Sequence, residues 1–313
     1  MNDYSIFTHM RLNAQSYVIT ESYGYNEKIP NSYMHLGLVI GEEKIAVIDT
    51  GIGGTSGLRG YIEDVILGGN NTKPIIALLT HGHLDHIGAC MMFDERYLHP
   101  NDIDEDELWW NTHIDRRLMS DDSDLCAFAN YDKDVIAYCR EHYYKPIPTV
   151  NDFTPVLDGD IFDLGGVTLR VVEMPGHTQG SVAYYDAKNH VAYCGDSLSM
   201  GGSVERVCEV LKHAESVFAP DSMLIDGHGS PVRRMTEIVN KIICCEEIIN
   251  GVNLENDEEM PRGAGGPPNF FKFTKASVGI EEKRPRPKPD PTKKQMTHRY
   301  KEARMMYQTD TNP

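Results

Sequence analysis

The sequence predicts an α+β fold in which β-sheets are sandwiched between helices. Two observations carry this expectation. Apolar strand-like runs and helix-patterned segments occur together in both halves of the chain. Their connections mix glycine-containing hairpin turns with longer crossovers, which argues against one purely parallel sheet.

In chain order, residues 17–21 (YVITE) and 33–40 (YMHLGLVI) read as strands. GEEKIAVIDTG at 41–51 reads as a turn, a buried strand and a glycine stop. A helix is expected over 57–68, followed by an apolar strand at 74–81 (PIIALLTH). Residues 90–148 are acidic, aromatic and helix-like, with DIDEDELWW and KDVIAYCREHYYK. Short strands follow in GDIFDLG, VTLRVVEMP and SVAYYDAKNHVAYCG. Helical patterns return at 204–215 and 232–249, then a loop at 256–269 and one further strand at 270–280. From residue 281 to 313 the chain turns proline- and lysine-rich, a composition that reads as an extended or flexible tail. The expected organisation is one main domain over 1–280, with an aromatic-rich helical insert near 94–148, and a tail over 281–313.

The 30 basic and 47 acidic side chains give a formal charge of −17. Such a body repels polyanions, so no nucleic-acid partner is expected. No run of about 18 apolar residues predicts a membrane span. The N-terminal MNDYSIFTHMRLN lacks the pattern of a signal peptide. With 7 cysteines and no CxxC pair, the expectation is a cytoplasmic protein with free thiols.

The chemistry concentrates in Thr80-His81-Gly82-His83-Leu84-Asp85-His86-Ile87-Gly88. A loop leaving a strand can converge these side chains on one point, whereas a helix would scatter them. Imidazole nitrogens and carboxylate oxygens suit zinc, iron or manganese. Three later segments share one design: Pro175-Gly176-His177-Thr178-Gln179-Gly180-Ser181, Cys194-Gly195-Asp196 and Asp226-Gly227-His228-Gly229. Each places one ligand-type residue in a glycine-containing loop after an apolar segment.

Together, THGHLDHIG, PGHTQGS, CGD and DGHG resemble the motifs of the metallo-β-lactamase-fold hydrolase superfamily, over roughly residues 30–235. The resemblance implies an αββα sandwich of two mixed β-sheets flanked by helices. It implies two divalent metal ions, with zinc the first expectation and manganese or iron the alternatives. His81, His83 and His177 would hold one ion. Asp85, His86 and His228 would hold the other, with Asp196 bridging. Asp49 of VIDTG is similar to a carboxylate that supports the metal loop from behind.

That allocation suits hydrolysis by a shared hydroxide, since two ions about 3.5–4 Å apart lower the pKa of a common water. Asp85 is the candidate catalytic residue, able to orient the nucleophile or carry a proton to the leaving group. The expected substrate is a small-molecule ester, thioester or lactone. The alternatives are a phosphodiesterase on a small or nucleotide-like substrate, a β-lactam hydrolase, or a non-catalytic metal-stabilised binding protein. Asp196 resembles the thioesterase, lactonase and phosphodiesterase members of that superfamily, whereas the best-known zinc β-lactamases usually carry cysteine there. Trp109, Trp110, Tyr131, Tyr143 and Tyr144 are candidates for an aromatic lid, or for the core of a packed insert. His35 and Tyr33 read as core or surface residues rather than ligands.

Overall fold

Burial on both faces selects the strands at the centre of the molecule. In the computed structural model, β4 (Ile45–Ile48) and β5 (Ile75–Leu78) are buried at every residue and pair in parallel, as expected of strands covered on both sides. The structure describes residues 4–22, 33–53, 55–103, 148–255, 258–259, 293–301 and 303–310, with the single positions 141 and 146. The candidate lid residues 109, 110, 131, 143 and 144, the expected strand at 270–280 and most of the insert lie outside the described residues.

Antiparallel β1 (Phe7–Arg11), β2 (Ser16–Ser22) and β3 (Tyr33–Ile40) lead into β4 and β5. Parallel β6 (Arg96–Leu98) and β7 (Thr154–Pro155) complete a seven-stranded mixed sheet in the order β1-β2-β3-β4-β5-β6-β7. A second sheet runs β13-β12-β11-β10-β9-β8. Its strands are β8 (Ile161–Asp163), β9 (Thr168–Glu173), β10 (Val182–Asp186), β11 (Val191–Gly195), β12 (Met223–Asp226) and β13 (Val232–Arg234). Only β11 and β12 pair in parallel there. Val39, Ile48, Ile76 and Leu78 from the first sheet pack with Leu169, Val171, Tyr184 and Tyr193 from the second. The opposite face of the first sheet is covered by α1 (Leu58–Gly60), which continues as a π-helical turn over Tyr61–Ile66, and by α2 (Leu84–Ile87). Both sheets are mixed and helix-flanked, as the sequence predicts.

Residues 201–215 and 236–313 form a separate compact unit. It contains most of α3 (Val204–Val217), together with α4 (Thr236–Asn250) and an antiparallel sheet of β14 (Glu258–Glu259), β15 (Lys293–Tyr300) and β16 (Ala303–Asp310). Among the described residues no helix is long and apolar enough to cross a membrane.

Three local expectations differ from the structure. Val232–Arg234 is strand, not the start of a helix, because it pairs with β12 and α4 begins only at Thr236. Arg96–Leu98, within the segment read as helical, is strand because β5 offers it a parallel edge. Residues 293–310 are a hairpin rather than a flexible tail. Thr297, His298, Ala303 and Met305 are buried, but interleaved Lys and Arg conceal them in the sequence.

Candidate metal centre

The candidate ligands and the supporting Asp49 lie on segments that follow the C-terminal ends of strands. Asp49 follows β4, His81 follows β5, His177 follows β9, Asp196 follows β11 and His228 follows β12. His83, Asp85 and His86 continue the His81 loop into α2. Backbone bonds lock these ends together: the Val182 N–H donates to Thr80 O at 2.8 Å and the Gly227 N–H donates to Gly195 O at 2.9 Å.

All seven predicted ligands converge. Three groups, namely His81, His83 and His177, then His81, His86 and Asp196, then Asp85, His86 and His228, each offer atoms within 4.8 Å of one another. In the first, His81 Nε2 lies 3.1 Å from His83 Nδ1, and His83 Nδ1 lies 2.9 Å from His177 Nε2. In the last, Asp85 Oδ2 is 3.1 Å from His228 Nε2 and 3.9 Å from His86 Nε2. Asp196 stands between the groups. Its Oδ2 is 3.4 Å from both His177 Nε2 and His228 Nε2, and its Oδ1 is 3.4 Å from His86 Nε2.

These separations fit metal ligation. Two ligands on one tetrahedral zinc, each roughly 2.0–2.1 Å from it, stand about 3.3 Å apart. A second observation agrees. His86 Nε2 and Asp196 Oδ1 are sealed from solvent without a hydrogen bond. Burying polar atoms unpaired costs about 1–3 kcal/mol each. A cation between them would satisfy both.

The rings are held from behind. His86 Nδ1 donates to Asp49 Oδ2 at 2.7 Å, leaving Nε2 with its lone pair toward the cluster. The Thr80 hydroxyl donates to the same Asp49 oxygen at 2.8 Å, and its oxygen lies 3.1 Å from His81 Nδ1. That chain leaves His81 Nε2 as the inward acceptor. Asp49 thus supports two rings, as the motif resemblance implies.

Electrostatics divides the cluster. Burial, then the neighbouring imidazoles, holds His81 well below its ordinary pKa. Burial and His177 bring His83 down to about 4. Both rings are therefore neutral, as ligands must be. Burial also pulls on His86, but the Asp49, Asp196 and Asp85 charges outweigh it and raise this ring well above its usual value. For His228, the Asp85 hydrogen bond and the two carboxylate charges overcome burial and lift it to about 9. Burial opposes ionisation of Asp196, yet His86 and His228 hold it at about 2. The carboxylate side of the cluster thus draws positive charge, supplied by protons when no ion is bound.

Gly227 is required by this packing. A Cβ there would overlap Asp196 Oδ1 and come within 2.9 Å of His86 Cε1. His35, read as a non-ligand, is buried and bonds the His228 loop: its Nε2 lies 3.0 Å from Gly229 O and its N–H donates to Gly227 O at 2.9 Å. Sequence reasoning missed Asp102, whose carboxylate touches both histidine loops. It lies in the acidic run DIDEDE, whose composition does not set it apart. A signal was present in the glycines at 82 and 180, which face it.

The family profile of the Metallo-beta-lactamase superfamily matches residues 35–243. The chain is 27% identical over 201 residues to the hydroxyacylglutathione hydrolase GloC of Haemophilus influenzae, covering 60% of this chain and 82% of that protein. It is 26% identical over 178 residues, 55% of its length, to the acyl-coenzyme A thioesterase MBLAC2 of Gallus gallus, and spans 60% of that relative. A metallo-beta-lactamase from Pontibacter korlensis shares the fold at a TM-score of 0.51 and 14% identity, over 77% of this chain and 99% of that one. A metallo-beta-lactamase family protein from Thermus thermophilus does so at a TM-score of 0.50 and 21% identity, over 77% and 80%. Fold and candidate metal clusters support a hydrolase-type enzyme. With its sandwich of mixed sheets, its histidine–aspartate clusters and the profile match over most of its length, the chain belongs to the metallo-beta-lactamase superfamily.

Proposed function

We propose that the chain is a metal-dependent hydrolase of small thioesters, within a wider class of small esters and lactones. The observation that carries this reading is the convergence of two ligand triads with Asp196 between them. In it, His81, His83 and His177 would hold one divalent ion and Asp85, His86 and His228 a second, with Asp196 lying between the two groups. Zinc suits the donor set, with manganese or iron as alternatives. When bound, such ions lower the pKa of water and polarise a carbonyl oxygen.

The chain's own residues orient and move protons. Asp49 and Thr80 fix the rings of His86 and His81 so that their lone pairs face inward. Asp85, beside His228, is placed to orient the attacking water, and to carry a proton to the leaving group where one is needed. A thioester asks least of such a site. Its leaving thiol ionises near pH 8.5 and departs with little protonation, whereas an alkoxide needs a proton. Similarity to proteins named hydroxyacylglutathione hydrolase and acyl-coenzyme A thioesterase supports the same acyl–sulfur chemistry. We also propose a reducing, cytoplasmic setting, consistent with free thiols at Cys90, Cys194, Cys208, Cys244 and Cys245.

The test is turnover of acylglutathione and acyl-coenzyme A thioesters, lactones and bis-aryl phosphates by protein loaded with zinc or manganese. Thioester hydrolysis is expected, lost with chelator and restored by metal. Turnover of the phosphate alone would replace this reading with a phosphodiesterase. Inactivity across the panel with two ions bound would make the chain a binding protein.

A further inference from the structure

We propose that Asp102 is a positioning residue that sets the spacing of the two histidine loops and thereby the cation affinity of the His81–His83–His177 triad. The inference rests on the reading that this triad holds an ion. Asp102 closes the short turn Pro100–Asp102 that follows β6. That turn is braced on its own account: the Asn101 N–H donates to His99 Nδ1 at 3.2 Å and the Asp102 N–H donates to His99 O at 3.0 Å.

From this fixed base the buried carboxylate bonds outward to both loops. Oδ2 accepts the Gly82 N–H at 2.8 Å, midway between His81 and His83. The same oxygen accepts the Thr178 hydroxyl at 2.7 Å, one residue beyond His177. Oδ1 accepts the Gly180 N–H at 2.9 Å. Asn101 adds a fourth tie, donating through Nδ2 to Gln179 O at 3.2 Å. The two loops come from different sheets, and His83 Nδ1 and His177 Nε2 stand 2.9 Å apart across their junction.

The glycines agree. A Cβ on Gly180 would come within 2.6 Å of Asp102 Oδ1, and one on Gly82 within 3.1 Å of Asp102 Cβ. Gly82 is therefore explained by the approach of Asp102. A carboxylate accepts from all three donors at once. An amide accepts only through its single oxygen, and its NH2 would face an N–H or hydroxyl donor. Asp102→Asn thus keeps the shape and loses at least one of the three bonds, to the Gly82 N–H or to the Gly180 N–H.

The test is Co2+ titration of the full chain against a competing chelator, read with the visible absorption of the bound ion. That spectrum reports ligand geometry without depending on turnover. Asp102→Asn is expected to weaken the first triad at least tenfold and shift its absorption band, leaving uptake by Asp85, His86 and His228 in place. Asp186→Asn is the control. Asp186 is also buried and accepts three hydrogen bonds, from Lys188 N, Asn189 N and Asn189 Nδ2, but it ties a turn at the far end of β10. It is expected to lower thermal stability without changing the spectrum.

Should Asp102→Asn not fold, Thr178→Val removes one tie and is expected to give a smaller loss with the same spectral shift. Wild-type affinity and spectrum in whichever variant folds would overturn the role of Asp102. A wild-type chain that takes up no Co2+ would instead overturn the ligand assignment, and the inference with it.

Discussion

Oδ2 of Asp49 accepts the Nδ1–H of His86 at 2.7 Å, with both side chains buried. The same carboxylate accepts the Thr80 N–H on Oδ1 and the Thr80 hydroxyl on Oδ2, each at 2.8 Å. One side chain thus aims His86 directly and His81 through Thr80. Its backbone sits at φ 61°, a conformation that L-residues other than Asn and Asp seldom adopt. Strand β4 delivers Asp49 to that position, and the positive φ directs it behind the metal loop.

This arrangement makes Asp49→Asn informative. Asparagine tolerates the left-handed backbone, so local strain does not change. The charge behind His86 is lost, and the amide can present a donor to the ring N–H. Loss of such a supporting partner is expected to weaken metal binding by about 10–100-fold. Chelator competition on folded protein measures it. Unchanged affinity would show that ring orientation is set by packing alone.

The ligands differ in how far the sequence reveals them. His81, His83, Asp85 and His86 are legible because one loop carries all four, so their proximity needs no knowledge of the fold. His177, Asp196 and His228 are legible as residue types in glycine loops after apolar strands, but their convergence depends on two sheets. Asp102 is not legible as a partner of either loop, because its bonding exists only once β6 lies beside β5. The strand at 232–234 and the hairpin at 293–310 are hidden for a related reason. Short or charge-interleaved strands gain their stability from the neighbour they pair with, not from their own pattern.

The hairpin changes what truncation is expected to do. Composition alone predicts that removing residues 284–313 leaves metal content and most small-substrate turnover intact. The structure has His298 buried with its Nε2 2.9 Å from Glu247 Oε2 of α4, and the Cys244 thiol donating to His298 O. Deletion uncovers these groups within their own unit. Faster hydrogen exchange over 236–250 is the expected outcome. His298→Ala is expected to cost about 2 kcal/mol, since it strips a partner from a largely buried carboxylate. Wild-type exchange in the truncated chain would mean that the hairpin contributes nothing to α4.

Thiol reactivity offers a separate check. Cys90, Cys194, Cys208, Cys244 and Cys245 are all buried and free. Burial pushes the thiols of Cys90 and Cys245 up to about 12. At pH 8 such groups are almost wholly protonated, and only the thiolate attacks a disulfide reagent. These five are expected to react slowly in the folded protein, while denatured protein yields all seven of the sequence. More than two fast thiols under native conditions would contradict the burial. A stoichiometric disulfide in freshly isolated protein would contradict the reducing compartment.

Asp196 gives the most direct test of a two-ion site. Its oxygens face His86 Nε2 on one side and His177 and His228 on the other, all at 3.4 Å. A carboxylate so placed offsets part of the repulsion between two divalent charges. Asp196→Asn keeps the shape and removes that charge. Each ion would retain three protein ligands, so a folded protein with weaker binding of at least one ion is expected. Hydrolysis is expected to fall at least about 10²-fold, as for loss of a strong preorganised electrostatic group. Gly227→Ala supplies an independent route to the same residue, because its added methyl would displace the Asp196 carboxylate. A displacement of about 1 Å is enough for a loss of similar size. His35→Ala is not a neutral control, since His35 bonds Gly229 O beside His228. The half-buried His190, paired with Asp221 at 2.7 Å, is the better one and is expected to keep full metal content when changed to alanine. Elemental analysis after dialysis, combined with turnover at saturating metal, decides the matter. Two tightly held ions and near-wild-type turnover in Asp196→Asn would return CGD to an ordinary turn and leave the triads as separate single-ion sites.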